Sequence, residues 1–546
     1  MSAARAAAAV SRATAAVRLE DIIGYCLPYL GIRELSALNG VSRSLGTVAS
    51  QHSIVALAID KSTLYPAGPS VKVFETYGAT LKSLSVRCAA PSVFFPVTSA
   101  HLGLCERTVT SLLSSLFSLL SPLFSVLQLN RVIFPVSSAF PRIVSLCPNL
   151  RKLSLTLESC WHHWNKSLAA AGVASLGQLQ ELRLMWNDDN DPFSGIVCRL
   201  HELTHLGKLT LLSTLESDTI TITGLVAFLT EPLASRRLIK FKVSTELLLS
   251  PGGTDVLLAL ATHARLEKVT IVRPGGVGAA LGAANCALLA RAMERSPSLR
   301  ELHLRRCAMY TEELQALVPA APCPNIRGLK LDGNFLGFLS GAYFSITMDV
   351  LLSRLPRLDT LNLCNNYLTA SHATALSASL MKHRVLGLES LTLGSNGIGN
   401  AGLEAIAKAL PVGLKELYVH GIDCTDAGMA ALRDGLDRWP TLWGLGLNGN
   451  PVTDSGARLL ARALRGRASL RDVGITLSEM TDAGVARLSN ALATCPRLRF
   501  CYLFNTGFKA ANKVTEEAKA KLKKDMPPYA IAIFDGSIAN YIKTAD

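Results

Sequence analysis

LDTLNLCNNYL (Leu358–Leu368), LESLTLGSNGI (Leu388–Ile398) and LWGLGLNGNPV (Leu442–Val452) are one phrase written three times. The alternation Leu361-x-Leu363, Leu391-x-Leu393 and Leu445-x-Leu447 predicts a short strand in each copy. The Asn that follows (Asn366, Asn396, Asn450) has a side chain able to satisfy turn backbone groups. An apolar set at helical spacing then returns the chain: Leu403, Ile406, Ala407 and Leu410 after Asn396, and Ala457, Leu460, Ala461 and Leu464 after Asn450. One such unit cannot bury its own leucines, so the units must stack and share a core.

Working outward, the second apolar position of the phrase falls at Leu57, Leu84, Leu127, Leu153, Leu182, Leu209, Phe241, Val269, Leu302, Leu329, Leu361, Leu391, Leu417, Leu445, Val473 and Cys501. From Leu153 to Cys501, 12 intervals cover 348 residues, a mean of 29. Only the step from Leu84 to Leu127 is seriously irregular. The 546 residues are therefore read as one repeating array, and dividing the length by a typical domain size would mislead. With 49% hydrophobic and only 18% charged residues, the composition excludes an intrinsically disordered chain.

These residues resemble the leucine-rich repeat family over roughly 57–508. The period and the helix openers Thr425-Asp426-Ala427-Gly428, Thr453-Asp454-Ser455-Gly456 and Thr481-Asp482-Ala483-Gly484 are similar to the ribonuclease-inhibitor type. In physical terms, Thr or Asp can cap the helix and Gly leaves room at its tight start. Cys147-Pro148-Asn149-Leu150, Cys323-Pro324-Asn325-Ile326 and Cys495-Pro496-Arg497-Leu498 resemble the cysteine-containing repeats of F-box proteins. The resemblance implies an α/β horseshoe solenoid of about sixteen units, strands lining the concave side and helices outside.

The ends are read as separate pieces. Residues 1–18 are an Ala/Arg tail without acid, expected to be disordered, although a transit peptide has the same composition. Residues 19–50 resemble the F-box motif, a helical module that docks on a Skp-type adaptor of a cullin ubiquitin ligase. Leu19, Ile23, Leu27, Leu30, Leu35 and Leu38 are the adaptor-facing set that this implies, while Glu20 and Leu45 stand where that family carries Pro and Trp. The alternative for 19–50 is an N-terminal cap, because a terminal unit exposes one core face. The array is expected over 51–508 and a C-terminal cap over 509–546, with a helix in Lys509–Asp525 facing Val514, Ala518 and Leu522 inward and a strand at Tyr529–Phe534.

Thirteen cysteines with no C-x-x-C pair fit a reducing compartment, in which Cys serves as a small apolar residue. The uncharged run Thr108–Asn130 carries serines on one helical face and leucines on the other, so it reads as an amphipathic helix followed by a strand, with no membrane span. His201-Glu202-Leu203-Thr204-His205 matches H-E-x-x-H, but the next repeat strand follows at once and no third ligand is suggested. Gly276-Val277-Gly278 with Gly282 lacks the acidic residue a dinucleotide loop needs ~20 residues on. Cys160-Trp161-His162-His163-Trp164 is read as an exposed loop, since its adjacent histidines do not converge on a metal easily. The absence of G-x-x-x-x-G-K-[ST] argues against the nucleotide-binding receptor class with leucine-rich tails, and with each look-alike motif better read as structure, no catalysis, cofactor or metal is expected.

Side chains beside each Leu-x-Leu should point to the concave face. There the sequence places Arg183, Lys208, Lys240, Lys242, Lys268, Arg273, Arg305, Arg306 and Lys330 against Glu181, Glu301 and Asp332, a share of the chain's net charge of +14. Such a strip would steer a protein partner with an acidic surface. Trp186, Tyr418, His420 and Tyr502 add anchors, beside a floor of Gly394, Ser395, Gly444 and Gly446 read as nearly bare. Aromatic residues are not interleaved with the strip, which disfavours nucleic acid. The function expected is protein recognition by a monomer within a larger complex: an F-box-like substrate receptor, or instead a cytoskeletal scaffold or small-GTPase regulator. Its expected place is cytoplasmic, with cytoskeletal, nuclear or organellar alternatives.

Overall fold

In the computed structural model, the described residues are the strands at 57–60, 83–87 and 126–130, and most of 140–533. Breaks fall at 142–143, 145–148, 159–164, 188–190, 216–218, 232–236, 275–279, 339–340, 478, 505–513 and 528–530. Residues 1–56, with the tail and the F-box-like segment, lie outside them. So do 108–125, the Cys160–Trp164 cluster and Gly276-Val277-Gly278.

The chain divides into two compact units, residues 1–259 and 260–546. Among its described residues the first contains seven parallel strands: β1 (Leu57–Asp60), β2 (Ser83–Arg87), β3 (Val126–Asn130), β4 (Lys152–Glu158), β5 (Glu181–Asn187), β6 (Lys208–Ser213) and β7 (Lys240–Ser244). Each repeat anchor lies opposite the next: Leu57 on Leu84, then Leu127, Leu153, Leu182, Leu209 and Phe241. The long interval from Leu84 to Leu127 is therefore still one strand step.

The second unit repeats the arrangement with β8 (Lys268–Val272), β9 (Glu301–Arg305), β10 (Gly328–Lys330), β11 (Thr360–Asn362), β12 (Ser390–Thr392), β13 (Glu416–Tyr418), β14 (Gly444–Gly446), β15 (Asp472–Thr476), β16 (Phe500–Phe504) and β17 (Ile531–Ile533). Val269, Leu302, Leu329, Leu361, Leu391, Leu417, Leu445, Val473 and Cys501 pair in sequence, and Cys501 pairs on to Ala532. Each unit is a leucine-rich-repeat solenoid. No helix among the described residues is long and apolar enough to cross a membrane.

The core follows from the alternation. Leu361 and Leu363, like Leu445 and Leu447, are fully buried while the residues between them face the other way. Helices Gly399–Ala409 and Asp454–Leu464 bury Leu403, Ile406 and Ala407, and Ala457, Leu460, Ala461 and Leu464, against the strands. The described cysteines are all free thiols. Burial pushes Cys286, Cys364 and Cys424 up to about 12, as befits small core residues rather than nucleophiles. At the C-terminal end the helix is Glu516–Asp525, with Val514 and Leu522 buried.

Two ladders of side-chain hydrogen bonds tie successive repeats. Asn396 is buried; its Oδ1 accepts from Asn366 N (2.9 Å) and Leu368 N (3.0 Å), and its Nδ2 donates to Leu363 O (3.0 Å) and Leu393 O (2.7 Å). Asn334 and Asn450 bridge in the same manner, so each amide serves the turn before its own as well as its own. On the helix side, the carboxylates of Asp426, Asp454 and Asp482 accept from the backbone N–H and hydroxyl of Thr453, Thr481 and Thr515. The Asp of each opener thus reaches forward to the next Thr. The Gly makes room for it, since a Cβ on Gly456 would lie 2.3 Å from Asp426 Oδ1.

Asn396→Ala leaves two buried N–H groups without acceptors, each costing about 1–3 kcal/mol. Chemical denaturation of this variant is expected to show a loss of about 2–4 kcal/mol. A loss below 0.5 kcal/mol would contradict the ladder's role (about the noise of a neutral surface change).

Candidate partner-binding surface

In the first unit, Arg183 and Lys240 are exposed and Lys242 is half-buried on the strand face. Lys208 Nζ lies 2.7 Å from Glu181, and Lys152 lies 3.5 Å from it. Burial alone would raise the Glu181 carboxyl, but the hydrogen bonds and charges of these two lysines bring it below the usual range. Trp186 is not an anchor. It shares the inward parity of Leu182 and Leu184, is 3% exposed, and packs edge-on against Phe193 at 5.6 Å.

In the second unit a groove of about 1030 Å³ opens on the strand face. Lys268, Arg305, Arg306, Lys330, Tyr418, His420 and Tyr502 all line it. Arg273 is absent from that lining and is 3% exposed, because it continues the inward parity of Val269 and Ile271. Sequence reasoning also missed Arg300 and Arg327, exposed on the groove's basic side, and Asp359, Glu416 and Asp472 on its acidic side. The expected cationic strip is therefore partly compensated within the sheet. Lys268 Nζ lies 2.8 Å from Glu301, and Arg305 Nε donates to Asp332 at 2.9 Å.

What remains is a bipolar surface, with arginines and lysines around β8–β10 and, toward β15, the acids Asp359, Glu416 and Asp472, for which no ion pair is found among the described residues. The proximity of His303 at 3.1 Å, together with Lys268, holds the Glu301 carboxyl at about 2 against its burial. Burial lowers the His303 imidazole, and Lys268 and Lys330 add to this against the pull of Glu301.

The floor is not bare. The His420 ring lies on Gly394, where a Cβ would sit 2.1 Å from its Cε1. The Tyr418 hydroxyl covers Gly444 and the Asn448 amide covers Gly474. His420 is 4% exposed, its Nε2 is 3.6 Å from Cys364 Sγ, and burial drives its imidazole down to about 4. Arg306 is exposed in the left-handed region at φ 55° and packs against Gly333, where a Cβ would lie 2.7 Å from its Cγ.

Outside the groove's lining, the same unit carries a cluster of four rings that sequence reasoning also missed. Tyr310 stacks on Phe335 at 5.2 Å, and Phe335 stacks on Tyr367 at 5.8 Å. Phe338 meets Tyr367 edge-on at 4.8 Å. Phe338 is 60%, Tyr367 52% and Tyr310 42% exposed, an unusual amount of aromatic surface to leave in water. Two of these rings occupy the same place in the phrase, directly after the ladder asparagines Asn334 and Asn366, and that coincidence is the signal that was available.

The look-alike motif is taken up in structure. His201 and Glu202 lie in the short turn Leu200–Glu202, Glu202 is held by Arg199 at 2.5 and 2.9 Å, and His205 lies just before β6. No group of three metal-ligating side chains occurs among the described residues.

Neither a family model nor a curated protein matches the chain. Among solved structures, the Rad7 and Elc1 complex of yeast aligns at a TM-score of 0.38 and 14% identity, over 82% of this chain and 90% of that one.

A buried neutral His420 binds its proton only on unfolding between its ordinary 6.5 and about 4, so its contribution to stability is lost as pH falls through that window. His303 acts with the same sign. Melting of the wild type and His420→Gln across pH 7 to 4 is expected to show the wild type losing about 2–4 kcal/mol more than the variant. Parallel pH profiles would refute the assignment.

Proposed function

We propose that the protein is a non-catalytic recognition subunit that holds a protein partner on the strand face of its second unit. The observation that carries this reading is a bipolar groove in the same unit as a cluster of four rings, three of them exposed. Exposed aromatic residues supply large apolar area at low entropic cost, and flanking charges set register and on-rate. The partner this surface fits is acidic opposite Arg300, Arg306, Arg327 and Lys330, apolar opposite Phe338 and Tyr367, and basic opposite Glu416 and Asp472.

By its resemblance to the F-box motif, the segment 19–50 would hold a Skp-type adaptor through Leu19, Ile23, Leu27, Leu30, Leu35 and Leu38. The groove then serves as the substrate-receiving face of a cullin-type ubiquitin ligase, and the protein acts in the cytoplasm as one chain of that assembly. A scaffold whose residues 19–50 only cap the array would keep the groove and lose the adaptor.

Co-expression with a Skp-type adaptor is expected to yield a complex that deletion of 19–50 abolishes. No complex with the full-length chain would overturn the ligase reading. Phe338→Ser with Tyr367→Ser is expected to weaken partner capture at least about tenfold without lowering the melting temperature, since interface anchors of this kind carry 2 kcal/mol or more. Undiminished capture would overturn the surface assignment.

A further inference from the structure

An apolar stripe runs along the outer side of the helix Gly341–Arg354 in the second unit. Tyr343, Ile346 and Val350 recur at the spacing of one helical face, and that face is turned to water because Phe344, Met348, Leu351 and Leu352 fill the buried one. Tyr343 is 59% and Ile346 64% exposed. The neighbouring helix Ala370–Lys382 extends the stripe. Asp349 accepts from Lys382 Nζ at 2.7 Å and pairs with His383 Nε2 at 2.9 Å, which sets the exposed Met381 and Leu386 at the Val350 end.

Charge separates this face from the rest of the outer side. The two helices carry only Asp349, Arg354 and Lys382 as formal charges, and Asp349 and Lys382 cancel each other. Other outer helices of the same unit turn charges to water: Glu404 and Lys408 on Gly399–Ala409, and Arg458 and Arg462 on Asp454–Leu464. Single exposed apolar residues are ordinary on a protein surface, whereas a row of them marks a contact. The five side chains together present roughly 600 Å², the upper end of the largest patch on a typical monomer.

We propose that this face is covered by a second copy of the chain, packed about a two-fold axis near Ile346. Interfaces between copies are ~65% apolar, so an apolar centre of roughly 600 Å² with its polar rim buries about 900 Å² per copy, and a stable interface needs about 800 Å². The spacing suits the axis as well. Tyr343 and Val350 flank Ile346 almost evenly, so two antiparallel copies of the helix set Ile346 against its duplicate and each Tyr343 against the partner's Val350. Every group beside such an axis meets its own copy, and a charge there would repel itself; the stripe has none. The charged partner that the strand face fits would find nothing here to pair with. A dimer of this kind stands in place of the monomer expected from the sequence, and it joins helix sides while leaving the strand face of the second unit open.

Sedimentation velocity of the full-length chain at tens of micromolar is expected to show a species of twice the chain mass. Ile346→Asp sets two carboxylates against each other at the axis and is expected to weaken the dimer at least about a hundredfold. Its circular dichroism spectrum is expected to stay unchanged, since Ile346 is exposed. Tyr343→Glu is expected to act in the same direction, whereas Leu168→Asp, at an exposed leucine of the helix Lys166–Ala174, leaves the dimer intact. A monomeric wild type, or a dimer undiminished in Ile346→Asp, would overturn the proposal. So would a monomeric wild type whose capture of a partner is lost in Ile346→Asp, which would give the face to another protein. The variant Phe338→Ser with Tyr367→Ser is expected to remain a dimer, so failure of the strand-face reading and failure of the dimer are told apart.

Discussion

The buried asparagine amides of Asn334, Asn396 and Asn450 make the interaction on which the regular part of the second unit depends. A turn that follows every strand leaves N–H and C=O groups inside the stack, where water does not reach them. Asn396 takes two such donors from the preceding repeat and gives its own protons to carbonyls of both repeats. The asparagine therefore ties the position of one repeat to that of its neighbour. With register fixed in this way, Leu361, Leu391, Leu417 and Leu445 fall opposite one another, and the residues between them form regular rows on the strand face. The forward reach of Asp426 and Asp454 to the next threonine does the same for the helices.

Rows held this firmly turn a local sequence difference into surface chemistry. A glycine in one row removes a side chain but not a strand, and its neighbours lean over the space or face each other across it. The acids Glu416 and Asp472 become neighbours only because Gly444 separates them. Likewise Phe335 and Tyr367 stack because they occupy the same place in adjacent repeats. The groove is a product of the ladder geometry, written in by a few substitutions within a uniform phrase.

Much of the architecture was legible from periodicity alone. Leu-x-Leu alternation, the 29-residue step and the apolar helix faces each have one physical meaning in a stacked array, and the anchor leucines pair as the period requires. The site was legible only in part, for two reasons. Near the strand ends strict parity governs, and the spacing of Trp186 from Leu182 and of Arg273 from Val269 places both inward, off the open face. Charge was counted along the chain, whereas Lys268 and Arg305 meet their acids across strands. The single-residue glycines Gly394 and Gly444 gave no hint that His420 and Tyr418 would cover them, because that depends on side-chain directions one repeat away.

We place recognition on the strand face of the second unit. Amide hydrogen exchange of the full-length chain, alone and with a captured partner, tests it most directly. New protection is expected at the strand-to-loop segments around 328–338, 360–367 and 416–421, with the helices Ala370–Lys382 and Asp454–Leu464 unchanged. Protection confined to those helices, with the strand segments exchanging as in the free protein, would contradict it.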